Sequence, residues 1–141
     1  SVVVVNYLTN PADLYLSSNG IYDADHLSFD QWGAWNYAPS TTLQRGFAKL
    51  TWTPEIAMYQ PSSATGRNIW GGRQYSVLSM DDWRLWGAPA PAVSARLDGD
   101  SFCSFADDPA IWYTGPTEPT PIHISYGQWV AAGTPRAAKC S

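Results

Sequence analysis

Three segments of this chain carry nearly the same seven letters, and this recurrence constrains the fold more than any other feature of the sequence. The segments read HLSFDQW at 26–32, VLSMDDW at 77–83 and HISYGQW at 123–129. A pattern that returns at such intervals is typical of repeated units, none of which can bury its apolar face alone. The sequence therefore predicts three similar units within one chain.

A second landmark lies upstream of each copy, where an x-Pro dipeptide is followed by a tyrosine. The three instances are Asn10-Pro11 before Tyr15, Thr53-Pro54 before Tyr59, and Asp108-Pro109 before Tyr113. Proline presets the backbone of a turn, and the flanking residues are largely β-branched or aromatic strand formers. Each unit is thus predicted to open with a strand, an x-Pro turn and a second strand.

These landmarks predict an all-β chain of one domain, with units at 1–42, 43–96 and 97–141. Eleven prolines and eleven glycines interrupt the chain, and no long window keeps a helical period. Three such units favour a β-trefoil, with a β-prism as the second choice. The plan resembles threefold lectin architectures in general, although the copies lack the Gln-x-Trp spacing of ricin-type repeats.

Charge and hydropathy exclude several classes of partner. The net charge is −4, and the eight lysines and arginines form no basic run. A nucleic acid backbone or an anionic membrane surface requires a cationic track, so neither is predicted as a partner. No apolar run approaches the length of a membrane-spanning helix, so membrane insertion is not predicted either. The oligomeric state stays open.

The two cysteines leave two alternatives. Cys103 and Cys140 either form one disulfide or remain as two buried free thiols. We favour the disulfide, which would tie the third unit to the C-terminal end of the chain and would fit an oxidising compartment. The sequence accordingly predicts a secreted or extracellular protein.

The repeated heptapeptide, interpreted as a strand, places alternate side chains on opposite faces. One face is apolar, and the other carries a hydroxyl, usually a carboxylate, and an indole. An indole can cover the C–H face of a sugar, and a carboxylate accepts hydrogen bonds from adjacent hydroxyls. The predicted ligand-binding residues are His26, Ser28, Asp30 and Trp32 in the first copy, Ser79, Asp81 and Trp83 in the second, and His123, Ser125 and Trp129 in the third.

The alternative interpretation places the repeated tryptophan in the core. A bulge after Asp30 would turn Trp32 inward, and the serines and aspartates would then be turn and cap residues. In that case Trp35 and Trp86 become the better ligand platforms. Ala132 replaces them in the third copy, as expected of a position that packing does not require.

The predicted function is non-catalytic, lectin-like binding of glycans or glycoproteins, with no cofactor and no metal. Shallow repeated sites would gain strength through multivalency. Among enzymes, glycoside hydrolysis comes nearest, since it needs two carboxylates at a defined separation. The adjacent pairs Asp81-Asp82 and Asp107-Asp108 have turn-like contexts, however, and threefold repetition favours equivalent binding sites over one catalytic centre.

The rival prediction is a secreted protein-interaction module, such as a protease inhibitor, a toxin or a coat-type subunit. It would act through exposed loops rather than through equivalent pockets. One candidate loop is 67–75, where Arg67, Trp70 and Arg73 are residue types that are enriched in binding hot spots. The other is the proline-rich segment 115–121.

Overall fold

A computed structural model describes residues 2–18, 23–61 and 68–140 of the chain. Within these ranges the chain forms three separate β-sheets and three helices of six residues each. The fold is therefore mostly β-sheet, which confirms the predicted fold class at this level. No helix in the described ranges is long and apolar enough to cross a membrane.

The first sheet is built from the N-terminal part of the chain. Its elements are β1 (Val3–Asn6), β2 (Leu14–Ser17), β3 (Ala24–Leu27), α1 (Phe29–Ala34) and β4 (Thr41–Thr42). The strand order is β3-β2-β1-β4. Neighbouring strands are antiparallel, except that β4 runs parallel to β1 after the chain has passed through α1.

The other two sheets follow the same order of elements, except that the second has one additional strand, β7. The second sheet contains β5 (Gly46–Leu50), β6 (Ile56–Pro61), β7 (Ile69–Trp70), β8 (Arg73–Leu78), α2 (Met80–Leu85) and β9 (Ala92–Ser94). The third contains β10 (Ser101–Ser104), β11 (Ile111–Gly115), β12 (Glu118–Ile124), α3 (Tyr126–Ala131) and β13 (Ala138–Lys139). In each, the strand after the helix lies parallel to the first strand of its sheet. We refer to the three groups of elements as units 1, 2 and 3.

The β-trefoil and β-prism predictions are not confirmed. Each sheet contains a parallel pair of strands, which requires a crossover connection, and a short helix supplies that connection. The strand interpretation of the heptapeptide is also wrong, because each copy contains the end of a strand and the start of a helix. The strands β3, β8 and β12 end at Leu27, Leu78 and Ile124, and a helix begins two residues later.

The x-Pro dipeptides lie between the first and second strands of each unit, as the sequence predicted. The tyrosines that follow them are not equivalent, however. Leu14, Ile56 and Ile111 occupy equivalent positions, because each pairs with the last apolar residue of the strand that precedes the helix of its unit. The next residues along the second strands are then Tyr15, Ala57 and Trp112. The turns differ as well, because Pro11 lies in its turn, whereas the turns of units 2 and 3 come before the dipeptide, at 51–52 and 106–107, so the predicted x-Pro turn is wrong for those two units.

The apolar core lies between neighbouring units. One cluster joins Val5, Tyr7, Tyr15 and Ala24 of unit 1 to Phe47 and Trp86 of unit 2. A second cluster joins Ala48 and Leu50 of unit 2 to Leu97, Phe102, Tyr113 and Ile124. Because side chains alternate along a strand, β5 sends Phe47 to one cluster and Ala48 and Leu50 to the other. Unit 2 is therefore packed on both faces of its sheet.

A disulfide between Cys103 and Cys140 closes unit 3, which confirms the favoured alternative. The Cα atoms are 4.9 Å apart, within the ordinary range for a bridge. Cys103 lies in β10 and Cys140 directly follows β13, so the bond fastens the parallel pair of strands. A bridge of this kind is typical of proteins that mature in an oxidising compartment.

Candidate functional site

A serine caps the N-terminus of each of the three helices. The hydroxyl oxygens of Ser28, Ser79 and Ser125 each accept a hydrogen bond, at 3.1 Å, from the backbone N–H three residues further on. In units 1 and 3 a glutamine completes a capping box, because its side-chain oxygen accepts from the backbone N–H of the serine at 2.7 Å. The predicted sugar-binding serines are thus cap residues, as the alternative interpretation had it.

The repeated tryptophan holds the segment that leaves each helix. Its indole N–H donates to a backbone carbonyl six residues later, from Trp32 to Ala38 at 2.7 Å, from Trp83 to Pro89 at 2.9 Å and from Trp129 to Pro135 at 2.8 Å. Each of the three indoles is half-buried. The N–H is consequently occupied, and only part of the ring face remains for contact with a ligand.

The backbone of the same tryptophan closes the helix C-terminus. In each unit the N–H five residues further on donates to the tryptophan carbonyl, from Tyr37, Ala88 and Thr134 at 3.0, 3.0 and 3.1 Å. The residue just before each of these donors has positive φ, and this residue is glycine in units 2 and 3. This is the Schellman arrangement that ends many helices. The recurrence of tryptophan is therefore explained first by local structure.

The aspartates of the heptapeptide lie on the exposed side of their helices. Asp30 and Asp81 occupy the first turn, where a negative charge interacts favourably with the helix dipole. The Asp81 side chain is almost fully exposed and lies 3.5 Å from Arg84. Neither aspartate faces the cavities described next, so the structure separates them from the indoles with which the sequence grouped them.

A cavity of about 450 Å³ lies between the x-Pro turn of unit 1 and the start of α1, and we name it groove 1. It is lined by Pro11, Ala12, Asp13, Leu14, His26, Leu27, Ser28, Phe29, Trp32 and Ser40. Three of the predicted residues, His26, Ser28 and Trp32, therefore lie together here. Asp13 and Phe29 were not predicted, although Asp13 closely follows the x-Pro turn.

Groove 1 combines an apolar wall with a polar edge. Phe29 is 70% exposed and lies edge-on to Trp32, with 6.1 Å between the ring centroids. The imidazole of His26 packs edge-on against Tyr15 at 5.4 Å, which limits its motion. The backbone N–H of Asp13 closes the x-Pro turn by donating to the carbonyl of Asn10 at 2.9 Å. A ligand in this groove would meet aromatic faces beside one carboxylate and one imidazole.

A smaller cavity of about 50 Å³, groove 2, lies at the corresponding place in unit 2. It is lined by Pro54, Glu55, Ile56, Leu78, Ser79, Met80 and Trp83. The strand registers equate Glu55 with Asp13, and the helix caps equate Met80 with Phe29. Both units thus place a carboxylate beside an apolar residue at the helix start.

Unit 3 keeps the apolar part of this arrangement and lacks the acid. Ala110 stands at the position of Asp13 and Glu55, because Ile111 pairs with Ile124 as Leu14 pairs with Leu27. Tyr126 is 75% exposed, and its ring centroid lies 5.6 Å from that of Trp129. His123 is exposed on β12 and packs against Trp112 at 5.7 Å.

No known protein family, curated protein or solved structure matches this chain. The function must therefore be inferred from the geometry of its own residues. In the part of the chain that the structure describes, no group of three or more histidine, cysteine, aspartate or glutamate side chains could hold a metal ion.

A carboxylate of groove 2 is close to a second one from unit 3. One oxygen of Glu55 is buried and has no hydrogen-bond partner among the described residues. Burial raises the pKa of Glu118 on β12, and the negative charge of Glu55 raises that pKa further. The Glu118 carboxyl group next to groove 2 therefore holds its proton more tightly than an exposed glutamate does.

The two tryptophans proposed as alternative platforms lie in different surroundings. Trp86 is only 8% exposed and belongs to the core cluster between units 1 and 2. Little of its ring is therefore exposed to a ligand, although Trp86 does line a small cavity next to Arg45. Trp35 is 43% exposed and is the C-cap residue of α1.

The loops of the rival prediction form hairpins. Arg67 lies outside the described residues, while Trp70 and Arg73 flank the Gly71-Gly72 turn between β7 and β8. Arg73 pairs with Asp98 at 3.0 Å and covers the Tyr59 ring at 4.2 Å. In the segment 115–121, residues 115–117 are buried, whereas residues 119–121 are exposed but belong to β12, so the segment is a strand and not the predicted loop.

Proposed function

We propose that this chain is a non-catalytic carbohydrate-binding protein whose principal site is groove 1. The observation that carries the proposal is the arrangement of Phe29 and Trp32 beside Asp13 and His26 in one open cavity. The recurrence of an acid and an exposed apolar residue in groove 2 supports the same role for unit 2.

A pyranose has the features that groove 1 is suited to bind. Its C–H face can lie on the ring of Phe29 or on the free part of the Trp32 ring, since aromatic faces attract such groups. The Asp13 carboxylate can accept hydrogen bonds from two neighbouring hydroxyls, and His26 can donate or accept one more. The anchoring acid in this proposal is Asp13, which replaces Asp30 of the sequence prediction.

Each groove is open to solvent, and we infer weak binding at a single site. An affinity in the millimolar range corresponds to about 4 kcal/mol of binding free energy. Grooves 1 and 2 on one rigid body would strengthen binding to a polysaccharide or to a glycoprotein through multivalency. The disulfide is consistent with a secreted protein that meets such ligands outside the cell.

Catalysis is not part of the proposal. Glycoside hydrolysis requires two carboxylates that flank the scissile bond. Asp13 is the single carboxylate among the described residues that line groove 1, the principal site of this proposal. We therefore expect a bound glycan to be released unchanged, which chromatography of the glycan after prolonged incubation would show.

The direct test is a titration of the full chain with neutral monosaccharides and oligosaccharides, followed by ¹H–¹⁵N NMR. We expect saturable shifts at His26 and at the indole of Trp32. Phe29→Ala should abolish these shifts, while Phe105→Ala should preserve them, because Phe105 is exposed outside the groove and contacts Trp112 instead. Absence of any shift at high millimolar sugar would reject the proposal.

A second candidate function is the docking of a protein partner. The first residue of each helix is apolar and exposed in all three units, with Phe29 at 70%, Met80 at 52% and Tyr126 at 75%. Such exposed apolar residues are frequent at protein interfaces. Binding of such a partner should be lost when Phe29, Met80 and Tyr126 are all replaced by alanine, and it should be retained with Asp13→Asn. Carbohydrate binding in groove 1 should be weakened by both variants.

A further inference from the structure

Arg45 lies at one end of the interface between units 1 and 2, with a cavity on either side of it. One cavity, of about 200 Å³, is lined by Arg45, Met58, Tyr59, Gln60, Gln74 and Ser76. The other, of about 250 Å³, is lined by Leu43, Gln44, Arg45 and Trp86. We name the two together the Arg45 cleft, and it shares no lining residue with groove 1.

The strand registers explain why polar side chains gather there. Phe47 pairs with Met58, Met58 pairs with Ser76, and Gln60 pairs with Gln74, so these residues share one face of the second sheet. Arg45 precedes Phe47 by two residues and extends the same face by alternation. This face packs on unit 1 through Phe47 and becomes polar where the interface ends.

Arg45 has no carboxylate partner within the described ranges. The ion pairs found there join Arg73 to Asp98, Arg84 to Asp81, and Arg96 to Asp100. The contact of the Arg45 guanidinium is instead with the ring of Trp86, whose centroid lies 6.0 Å away. The N–H groups of this half-buried guanidinium can therefore donate hydrogen bonds to an anion.

The surroundings of Arg45 are held in place before any ligand binds. Phe47, two residues after Arg45, is fully buried in the core between units 1 and 2. The side chain of Gln60 donates from Nε2 to Oε1 of Gln74 at 2.9 Å. The amide N–H groups of Gln74 and the hydroxyl of Ser76 are then left to meet a ligand.

We propose that the Arg45 cleft binds the carboxylate of a small polyhydroxylated acid, such as a sugar acid. The planar guanidinium matches a carboxylate with two parallel hydrogen bonds, which an ammonium group cannot reproduce. The amides of Gln60 and Gln74 and the hydroxyl of Ser76 serve the hydroxyl groups that accompany the acid. The proposal does not depend on groove 1, because the two sites are formed by different residues.

The test is a titration of the full chain with D-glucuronate, monitored by NMR at the arginine Nε–H and glutamine amide signals. Neutral D-glucose and inorganic phosphate are titrated in parallel. We expect glucuronate to shift the Arg45 and Gln74 signals saturably, with an affinity that falls as sodium chloride is added. Equal shifts with glucose, or tighter binding of phosphate than of glucuronate, would overturn the assignment to a carboxylate.

Variants distinguish binding in the Arg45 cleft from a non-specific effect of charge and from binding in groove 1. Arg45→Gln should weaken glucuronate binding at least tenfold, and Arg45→Lys should be intermediate because it keeps the charge without the planar group. Arg136→Gln removes the same charge from an exposed position and should leave binding unchanged. Gln74→Ala provides a second variant in case Arg45→Gln unfolds the chain, and Phe29→Ala should have no effect. Undiminished binding by both Arg45→Gln and Gln74→Ala would refute the proposal.

Discussion

Gly87 lies against the ring of Tyr15, so that a Cβ at residue 87 would approach Cδ2 of that ring to 2.7 Å. The contact joins the end of α2 in unit 2 to β2 in unit 1. Gly133 ends α3 with the same φ of +93°, yet a Cβ there would meet nothing within 4 Å. The two glycines thus share a backbone conformation and differ in whether a neighbouring unit covers them.

Alanine substitution at each glycine should separate the cost of the backbone conformation from the cost of packing against the neighbouring unit. Gly133→Ala should lower the free energy of unfolding by about 1 kcal/mol, the ordinary penalty for a side chain in the left-handed region. Gly87→Ala should lower it by a further 1 to 3 kcal/mol or so, because the added methyl overpacks the interface. Urea denaturation followed by tryptophan fluorescence measures both, and equal losses would show that the packing of unit 1 on unit 2 differs from that described.

The disulfide should make a large contribution to stability. The bridge joins cysteines 37 residues apart in sequence, and the chain-entropy relation assigns a loop of that size about 3 to 4 kcal/mol. The double variant Cys103→Ser with Cys140→Ser should lower the free energy of unfolding by that amount. The same variant treated with a reducing agent should show no additional loss, whereas the native chain should lose stability on reduction. A native chain indifferent to reduction would count against this contribution.

The acids next to groove 2 should make stability depend on pH. Burial and the charge of Glu55 raise the pKa of Glu118 above its ordinary value of 4.5, so the folded state holds this proton more tightly than the unfolded state. The corresponding stabilisation is complete below pH 4.5 and is lost as the pH rises through the folded-state pKa. Glu118→Gln should therefore raise the melting temperature at pH 7 and give no such gain at pH 4.

Asp107→Asn provides the control for that comparison, because Asp107 is an exposed acid elsewhere in unit 3. Its melting temperature should follow that of the native chain at both values of pH. The explanation fails if Glu118→Gln changes stability equally at pH 4 and pH 7, since the effect would then come from packing rather than from charge.

A matched pair of aspartates distinguishes groove 1 from the heptapeptide as the sugar site. Asp13→Asn should weaken the binding of neutral sugars roughly tenfold, because a neutral amide replaces the charged acceptor of the proposed hydrogen bonds. Asp30→Asn should leave the affinity unchanged, since Asp30 is exposed on α1 and does not line the cavity. Calorimetry or NMR titration measures both affinities, and a larger loss with Asp30→Asn would restore the original interpretation.

The start of each short helix is encoded locally, although the surrounding pattern of residues resembles that of a strand. Ser28 with Gln31 and Ser125 with Gln128 have the spacing of a capping box, which marks a helix start. A helix of six residues is too short to show a helical period, and its polar and apolar residues also alternate as in a strand. The helices are fixed by their serine caps and by the tryptophan that closes each end, rather than by a continuous apolar stripe.

Several features followed from the sequence alone, because each depends on residues that are close along the chain or on one chemical pairing. These are the mostly β fold, the position of Pro11, Pro54 and Pro109 between the first and second strands of their units, and the bond between Cys103 and Cys140. The tertiary structure alone decided that Asp13 joins Trp32 in groove 1 and that Arg45 faces Gln74. Those pairs are distant in sequence, and strand register together with the packing of one unit on the next brings them together. No local pattern of residues encodes which strands pair or which faces meet.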